Sequence, residues 1–389
     1  MDMSLLSGIA QGAHWVAYLF VRVRQLSRLA SKAAKSDACT GSGASGKVIM
    51  KKRILLGVAL AAGGALLLMR KLRSSPADLS GQVVLITGSS RGLGFILARD
   101  FAKMGCSVVI CGRDPVALEE ARAELTKLNT NILAIPCDVA EQAQVEHLIH
   151  AATERFGRID ILVNNAGVVQ AGPFKAATLQ DFIDSHAIMF WGVLYATLAV
   201  LPQMRARGSG RIVNITSVGG KVSVPHLLPY SSAKFAATGF SAGLRAELSR
   251  EGIAVTTIAP GLMRTGSFLN ALFKGKESKE FAVFALLDNL PILSMDAERA
   301  SRQIIEAVRR GEAERVLSVP ATLLARMYGI FPGFTTNLLG LSMWLLPTAE
   351  GPDPTATLGK VARQQMPALR RKIIDALTIM GRRAAARFQ

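Results

Sequence analysis

Gln82-Val83-Val84-Leu85-Ile86-Thr87, running straight into Gly88-Ser89-Ser90-Arg91-Gly92-Leu93-Gly94, is the stretch on which the fold turns. The first six residues are a short β-branched, apolar run of the kind that forms a buried strand. A helical pattern from Phe95 to Met104 follows the glycines. Strand, turn and helix N-terminus together make an anion site, because backbone N–H groups point outward and glycines let a pyrophosphate approach the main chain. An ordinary tight turn also uses glycines, for positive φ. The strand before and the helix after favour the nucleotide.

The alternation continues downstream. Ser107–Cys111, Asn131–Ile135, Ile159–Val163, Arg211–Ile215 and Gly252–Ile258 read as strands. Helical patterns at Pro115–Leu128, Glu141–Phe156, a long apolar stretch before Arg211, and Pro225–Arg250 separate them. Parallel strands need such crossovers, so the expected fold is α/β: a doubly wound parallel sheet with helices on both faces. Ligands then sit beyond the carboxyl ends of the strands, where Thr87, Asn164, Ser217 and Pro260 fall.

Tyr230-Ser-Ser-Ala-Lys234 lies on the last of those helices, thirteen residues after Ser217. Positions i and i+4 share a helix face, so Lys234 can lie beside Tyr230. A neighbouring ammonium is expected to lower the tyrosine pKa from its usual value of about 10. The phenol could then exchange a proton with an alcohol or carbonyl oxygen that Ser217 holds by hydrogen bonding. Alone, the spacing is common on helix surfaces; its position after a dinucleotide turn gives it weight.

Residues 80–265 resemble a short-chain dehydrogenase/reductase of the common type. The resemblance rests on Thr87-Gly88-Ser-Ser-Arg91-Gly92-Leu-Gly94, Cys137-Asp138-Val139, Asn164-Asn165-Ala166-Gly167, Ser217, Tyr230-x-x-x-Lys234 and Pro260-Gly261-x-x-x-Thr265, in order. It implies NAD(P)-linked hydride transfer at a carbonyl or alcohol carbon. By that pattern Tyr230 is the acid/base, Ser217 orients the substrate oxygen and Lys234 also binds the nicotinamide ribose. Gly88, Ser90, Arg91, Gly92, Leu93 and Gly94 would cradle the cofactor. Asp138 and Val139 would meet the adenine, Asn164, Ala166 and Gly167 would border the cofactor, and Pro260, Gly261 and Thr265 would reach the carboxamide end.

Cofactor choice follows from the end of the second strand, Cys111-Gly112-Arg113-Asp114. A carboxylate there accepts from a ribose 2′-hydroxyl, whereas an arginine accommodates a 2′-phosphate. Gly112 occupies the acid's usual place, with Arg113 next and Arg91 in the turn, and guanidinium suits phosphate. NADP(H) is therefore expected. Asp114 precedes Pro115 and is expected to cap a helix instead.

One position departs from the family. In His186-Ala-Ile-Met189-Phe-Trp-Gly192 the methionine stands where the family has an asparagine that helps hold a water serving the lysine. A thioether is only a weak acceptor. The serine, tyrosine and lysine persist, so an active enzyme is expected. A non-catalytic nucleotide-binding scaffold or redox sensor is the alternative.

The flanks have a different character. Net charge is +18, but residues 1–81 hold twelve Lys/Arg against three Asp/Glu and residues 360–389 hold eight against one. With the charge in the tails, a nucleic-acid groove on the catalytic part is not expected, and anionic lipid fits better. Ile54–Met69 is sixteen uncharged residues between basic clusters. At about 24 Å as a helix it falls short of a hydrocarbon core of about 30 Å, which snorkelling lysines and arginines can offset. A single-pass anchor is expected near 54–69 in preference to a signal peptide, since Arg70 and Lys71 occupy the cleavage region. His14–Val23 suits an interfacial helix and 37–46 a linker, and translation could instead start at Met50.

The expected organisation is a basic segment and linker at 1–53, an anchor at 54–73, a dinucleotide-binding catalytic domain at 79–320, and a C-terminal apolar segment with a basic helix at 321–389. Met327–Pro347 carries no charge and could be a substrate lid, a second membrane contact or a dimer surface. Its Pro332, Gly333 and Gly340 argue against one straight membrane helix. Val361–Phe388 reads as one basic helix on a surface. The four cysteines include no C-x-x-C pair, and no metal site is expected. Three cysteines lie on core elements, suiting a reducing compartment on the cytoplasmic side. The expected function is NADP(H)-dependent interconversion of carbonyl and alcohol on a lipophilic substrate (a sterol, retinoid, long-chain ketone or ketoacyl group). The enzyme would be membrane-associated, and homo-oligomerisation is possible.

Overall fold

A computed structural model describes residues 76–129 and 131–388. The described residues fall in one compact unit, Ser74–Gln389. The anchor expected at 54–69, the interfacial stretch at 14–23 and the linker at 37–46 lie outside the described residues.

The central sheet has seven parallel strands: β1 (Val83–Ile86), β2 (Ser107–Gly112), β3 (Ile132–Pro136), β4 (Ile161–Asn164), β5 (Gly210–Ile215), β6 (Ile253–Pro260) and β7 (Glu314–Leu317). Their order is β3-β2-β1-β4-β5-β6-β7, so the winding direction reverses between β1 and β4. Helices α1 (Gly92–Lys103), α2 (Pro115–Thr126), α3 (Gln142–Phe156), α4 (Leu179–His186), α5 (Gly192–Arg207), α6 (Leu228–Glu247), α7 (Glu277–Asn289) and α8 (Ala297–Arg309) provide or extend the crossovers.

Strand β1 reads as an unbroken apolar run because both its faces are covered. Val84 and Ile86 join Leu97, Phe101, Leu118 and Ile304 on one side. Val83 and Leu85 join Val145, Leu148, Val200 and Met204 on the other. Each such side chain, fully buried, contributes about 1.5–3 kcal/mol. A charge at the wholly buried Leu85 would have no partner and would break the layer.

Local signals hold at the helix ends. Asp114 caps α2, accepting from the backbone N–H of Val116 at 3.0 Å and of Ala117 at 3.3 Å. Leu179–Arg207 is one helical run of 29 residues in which an 18-residue window has mean hydropathy 1.5, enough by length and composition to cross a membrane. Its Ala196, Val200, Leu201 and Met204 are spent on the sheet core, and a buried core helix passes the same test. A π-helical turn at Ala187–Trp191 interrupts the run.

The C-terminal part differs from expectation in two places. Arg315-Val-Leu-Ser-Val-Pro320 reads from its sequence as a late strand, but the strand ends at Leu317, because Ser318 adopts φ +76° and caps α9 (Val319–Ile330), with Pro320 in its first turn. The single basic helix expected over Val361–Phe388 is three: α11 (Gly359–Gln364), α12 (Ala368–Leu377) and α13 (Ile379–Phe388), preceded by α10 (Pro332–Ser342). Pro367 breaks the first joint. Nor does α13 merely lie on a surface, since the Gly381 N–H donates to Asn289 Oδ1 at 2.6 Å and Ala385 and Phe388 are buried. Met327–Pro347 breaks at Phe331-Pro332 into α9 and α10, so it is not one straight helix. A second small core forms where Phe268, Phe273 and Phe281 meet Ala362, Met366 and Ile374, tying α7 to the C-terminal helices.

Candidate active site

The glycine turn is clamped onto the end of β4. Thr87 Oγ1 accepts from the N–H groups of Asn165 and Ala166 at 2.9 and 3.1 Å. The Asn165 amide donates to the carbonyls of Thr87 and Gly88, both at 2.9 Å. Glycine is required at two positions. Gly88 has φ +62°, and a Cβ there would stand 2.7 Å from Ala166 Cα. A Cβ on Gly94 would run into the Gly88 carbonyl and stand 2.6 Å from Asn165 Nδ2. The two glycines therefore let the turn close tightly against the end of β4 beside the N-terminus of α1, the setting that suits a pyrophosphate.

A cleft of about 420 Å³ opens over the carboxyl ends of the strands, at the winding reversal. It is lined by Gly88, Ser90, Arg91, Gly92, Leu93, Gly94, Arg113, Asp138, Val139, Ala166, Gly167, Ser217, Tyr230, Lys234, Pro260, Gly261 and Thr265. Of the residues expected from sequence, Asn164 alone does not line it. Asn164 is buried at the end of β4 and donates to Asn214 Oδ1 at 2.8 Å. Asn214 donates to Ser241, and Ser241 meets the Thr257 hydroxyl at 2.7 Å. This buried polar chain ties β4, β5, β6 and α6 together beneath the site. The cleft-lining asparagine is its neighbour Asn165.

The proton-transfer group sits where β5 meets α6. Ser217 Oγ accepts from the Gly219 N–H at 2.9 Å and is hydrogen-bonded to the Tyr230 phenol. Lys234 Nζ donates to the Ile215 carbonyl at 2.8 Å and lies 5.9 Å from the Tyr230 ring centroid. The expected lowering of the tyrosine pKa is not what the chain's own groups produce. Burial pushes the Tyr230 phenol up, and the bond to Ser217 offsets that only in part. Burial also brings the Lys234 ammonium down, to about 8. Desolvation outweighs the pairwise attraction because both groups are enclosed.

Met189 is fully buried in the π-helical turn. A Cβ on Gly167 would lie 3.6 Å from both Met189 Sδ and Lys234 Nζ, so the sulfur and the ammonium converge on one spot. His186, one turn earlier, holds the Phe182 carbonyl with Nδ1 at 2.9 Å. Sequence reasoning did not single out Val168, Val169, Met263, Leu272 and Leu358 in the cleft wall, though it included Asn165 in the motif that borders the cofactor. Leu358 arrives from far along the chain, on a short strand, Thr357–Leu358, paired with Leu272–Phe273. No local signal marks that pairing. Among the described residues no group of three or more potential metal ligands gathers.

Comparison with known proteins agrees with this geometry. The short chain dehydrogenase family model matches residues 82–272. Dehydrogenase/reductase SDR family protein 7-like of Anopheles gambiae is 34% identical over 258 residues, spanning 65% of this chain and 80% of that protein. Dehydrogenase/reductase SDR family member 7B of Danio rerio is 33% identical over 294 residues, 69% and 89% of the two chains. Among solved structures, a short-chain dehydrogenase from Streptomyces avermitilis superposes with TM-score 0.59 at 30% identity, over 68% of this chain and 99% of that one. L-sorbose reductase from Gluconobacter frateurii, complexed with NADPH and L-sorbose, gives TM-score 0.57 at 26% identity, over 63% and 97%.

Proposed function

This chain belongs to the short-chain dehydrogenase/reductase family and is an oxidoreductase of the nicotinamide-dependent kind; from that premise we propose that it uses NADP(H) to interconvert a carbonyl and an alcohol on a lipophilic substrate at a membrane. The observation that carries the reading is the joining of Ser217, Tyr230 and Lys234 in one cleft with the glycine turn. When bound, the nicotinamide supplies or accepts the hydride. Ser217 and Tyr230 hold the substrate oxygen between their hydroxyls, and Tyr230 gives that oxygen its proton in reduction. Lys234, fixed by the Ile215 carbonyl, keeps a positive charge beneath the phenol and holds the nicotinamide ribose.

The preference for NADP(H) is supported at the end of β2. A Cβ on Gly112 would already stand 3.1 Å from Ser90 Oγ, leaving an acidic side chain there crowded. Arg91 and Arg113 line the same end of the cleft, and Arg113 approaches Asp138 at 3.9 Å with its side chain largely exposed. Two guanidinium groups and a serine hydroxyl suit a 2′-phosphate. The related L-sorbose reductase is complexed with NADPH.

Val168, Val169, Met263, Leu272 and Leu358 in the cleft wall support a lipophilic substrate. The apolar stretch 54–69 between basic clusters supports membrane association. Cys106, Cys111 and Cys137 are free and buried, which suits a reducing compartment and a catalytic unit on the cytoplasmic side. Self-association into homo-oligomers belongs to the same reading.

Oxidation of NADPH in preference to NADH, by purified full-length protein with a panel of hydrophobic ketones, tests this proposal. Met189 motivates the second reading, a non-catalytic nucleotide-binding scaffold. Cofactor binding without turnover, unchanged in Tyr230→Phe, is the result that reading gives.

A further inference from the structure

The apolar C-terminal helices leave an outward face whose chemistry is unlike the rest of the unit. Helix α9 exposes Val319, Leu323 and Ile330, and Phe331 at the N-cap of α10 is exposed with Phe334, Leu338 and Leu341 of that helix, at spacings that put each set along one side. At the corner after α10, Trp344 is 89% and Leu345 84% exposed. From 319 to 348 the chain has one charged residue, Arg326, and no acid. Helix α12 repeats the pattern with Leu369, Ile373 and Leu377, every fourth residue, all exposed.

These faces meet. Leu345 and Pro347 border a shallow depression of about 400 Å³ whose other walls include Lys279 of α7 and Arg370 and Ile374 of α12. Arg371 and Lys372 follow on α12. The acid of this helix, Asp375, is engaged by Arg363 at 2.6 Å and Arg382 at 3.6 Å. An exposed tryptophan and leucines therefore stand beside a rim of cations.

We propose that α9, α10, the Met343–Pro347 corner and α12 form a lipid-facing surface that seats the catalytic unit on an anionic bilayer. An apolar surface of this extent, left in water, forgoes roughly 25 cal/mol for each Å² that could be buried, and such surfaces mark interaction sites. Tryptophan suits the level of the headgroups, and lysine and arginine can extend their charges to phosphate while their stems stay with the acyl chains. A second copy fits less well. Two-fold pairing through this face would set Lys279 and Arg370 against the same cations of the other protomer, whereas anionic headgroups complement them. The contact is separate from the 54–69 stretch and does not depend on which nicotinamide cofactor is used.

The three tryptophans are Trp15, Trp191 and Trp344, so Trp15→Phe/Trp191→Phe in the full-length protein leaves one reporter at the corner. The protein is reconstituted into phosphatidylglycerol vesicles with brominated acyl chains and compared with unbrominated ones. Trp344 emission should lose roughly half its intensity to the bromolipid, as expected for a ring buried at the acyl–headgroup boundary. Adding Lys279→Glu/Arg370→Glu should cut that quenching severalfold while NADPH binding is retained. Two results overturn the proposal. One is Trp344 that bromolipid leaves bright and aqueous iodide quenches, a solvated face. The other is Trp344 shielded from both quenchers only at protein concentrations where cross-linking shows a dimer.

Discussion

Lys234 donates from its ammonium to the carbonyl of Ile215, 2.8 Å away, while the same ammonium lies over the Tyr230 ring, 5.9 Å from its centroid. The end of β5 thereby fixes the cation below the phenol. With burial lowering the lysine to about 8 and raising the tyrosine, the phenol is neutral and the ammonium still largely charged at neutral pH.

This pairing sets a pH profile. In carbonyl reduction, kcat/KM should be level near neutrality and fall as pH rises through about 8, where Lys234 loses its proton. A decline beginning only near pH 10, the ordinary tyrosine range, would place the limit on the phenol instead.

Cofactor preference should rest on Arg113. Removing its contact with a 2′-phosphate in Arg113→Glu should weaken NADPH by about thirtyfold relative to NADH, the worth of one charge-assisted hydrogen bond of about 2 kcal/mol. The ratio of kcat/KM for the two cofactors reads this directly. An unchanged ratio would move the phosphate site to Arg91 and Ser90.

Met189 Sδ and Lys234 Nζ both approach Gly167, and the thioether contributes no amide to the proton path. Met189→Asn should raise kcat with little change in KM. It should also cost about 1–3 kcal/mol of stability, because the new amide is buried with incomplete hydrogen bonding. Thermal melts and steady-state kinetics separate the two effects. If kcat falls, this position is not where the relay is limited.

Asp288 gives a stability prediction whose sign is definite. Burial raises its carboxyl to about 7, against a donated bond from the Met263 backbone and the nearby Arg264 charge, and its Oδ2 has no hydrogen-bond partner. A raised folded-state pKa means that its stabilising contribution is whole below the ordinary carboxylate range and is lost as pH climbs through about 7. Asp288→Asn should therefore stabilise the fold, read as a rise in Tm, more at pH 8 than at pH 5, the difference being bounded at roughly 3 kcal/mol for the about two pKa units between pH 5 and about 7. Equal shifts at the two pH values would contradict the assignment.

Much of this was readable in the sequence because the signals are local. The run Val83–Ile86 and the turn Gly88–Gly94 carry their own periodicity and backbone demands, and Asp114 before Pro115 announces a cap. What escaped reading depends on distant segments meeting. Asn164 and Asn165 are adjacent and alike, and only the register of β4 against β5 turns the first into the buried polar chain and the second toward the turn. Leu358 reaches the cleft through a two-residue strand. The Tyr230 pKa follows from enclosure, which i,i+4 spacing does not reveal. Pro367 is a local signal for the first break in the C-terminal helix, whereas the break at Thr378 accompanies the docking of α13 on Asn289.

In the proposed function Tyr230 is the proton donor of a working reaction centre. Steady-state NADPH oxidation with a hydrophobic ketone, run on full-length wild type and Tyr230→Phe with the NADPH Kd measured in parallel, tests it most directly. The expected result is a loss of at least about a hundredfold in kcat for the variant, with Kd unchanged. Equal rates in the two proteins, whether fast or absent, would contradict it.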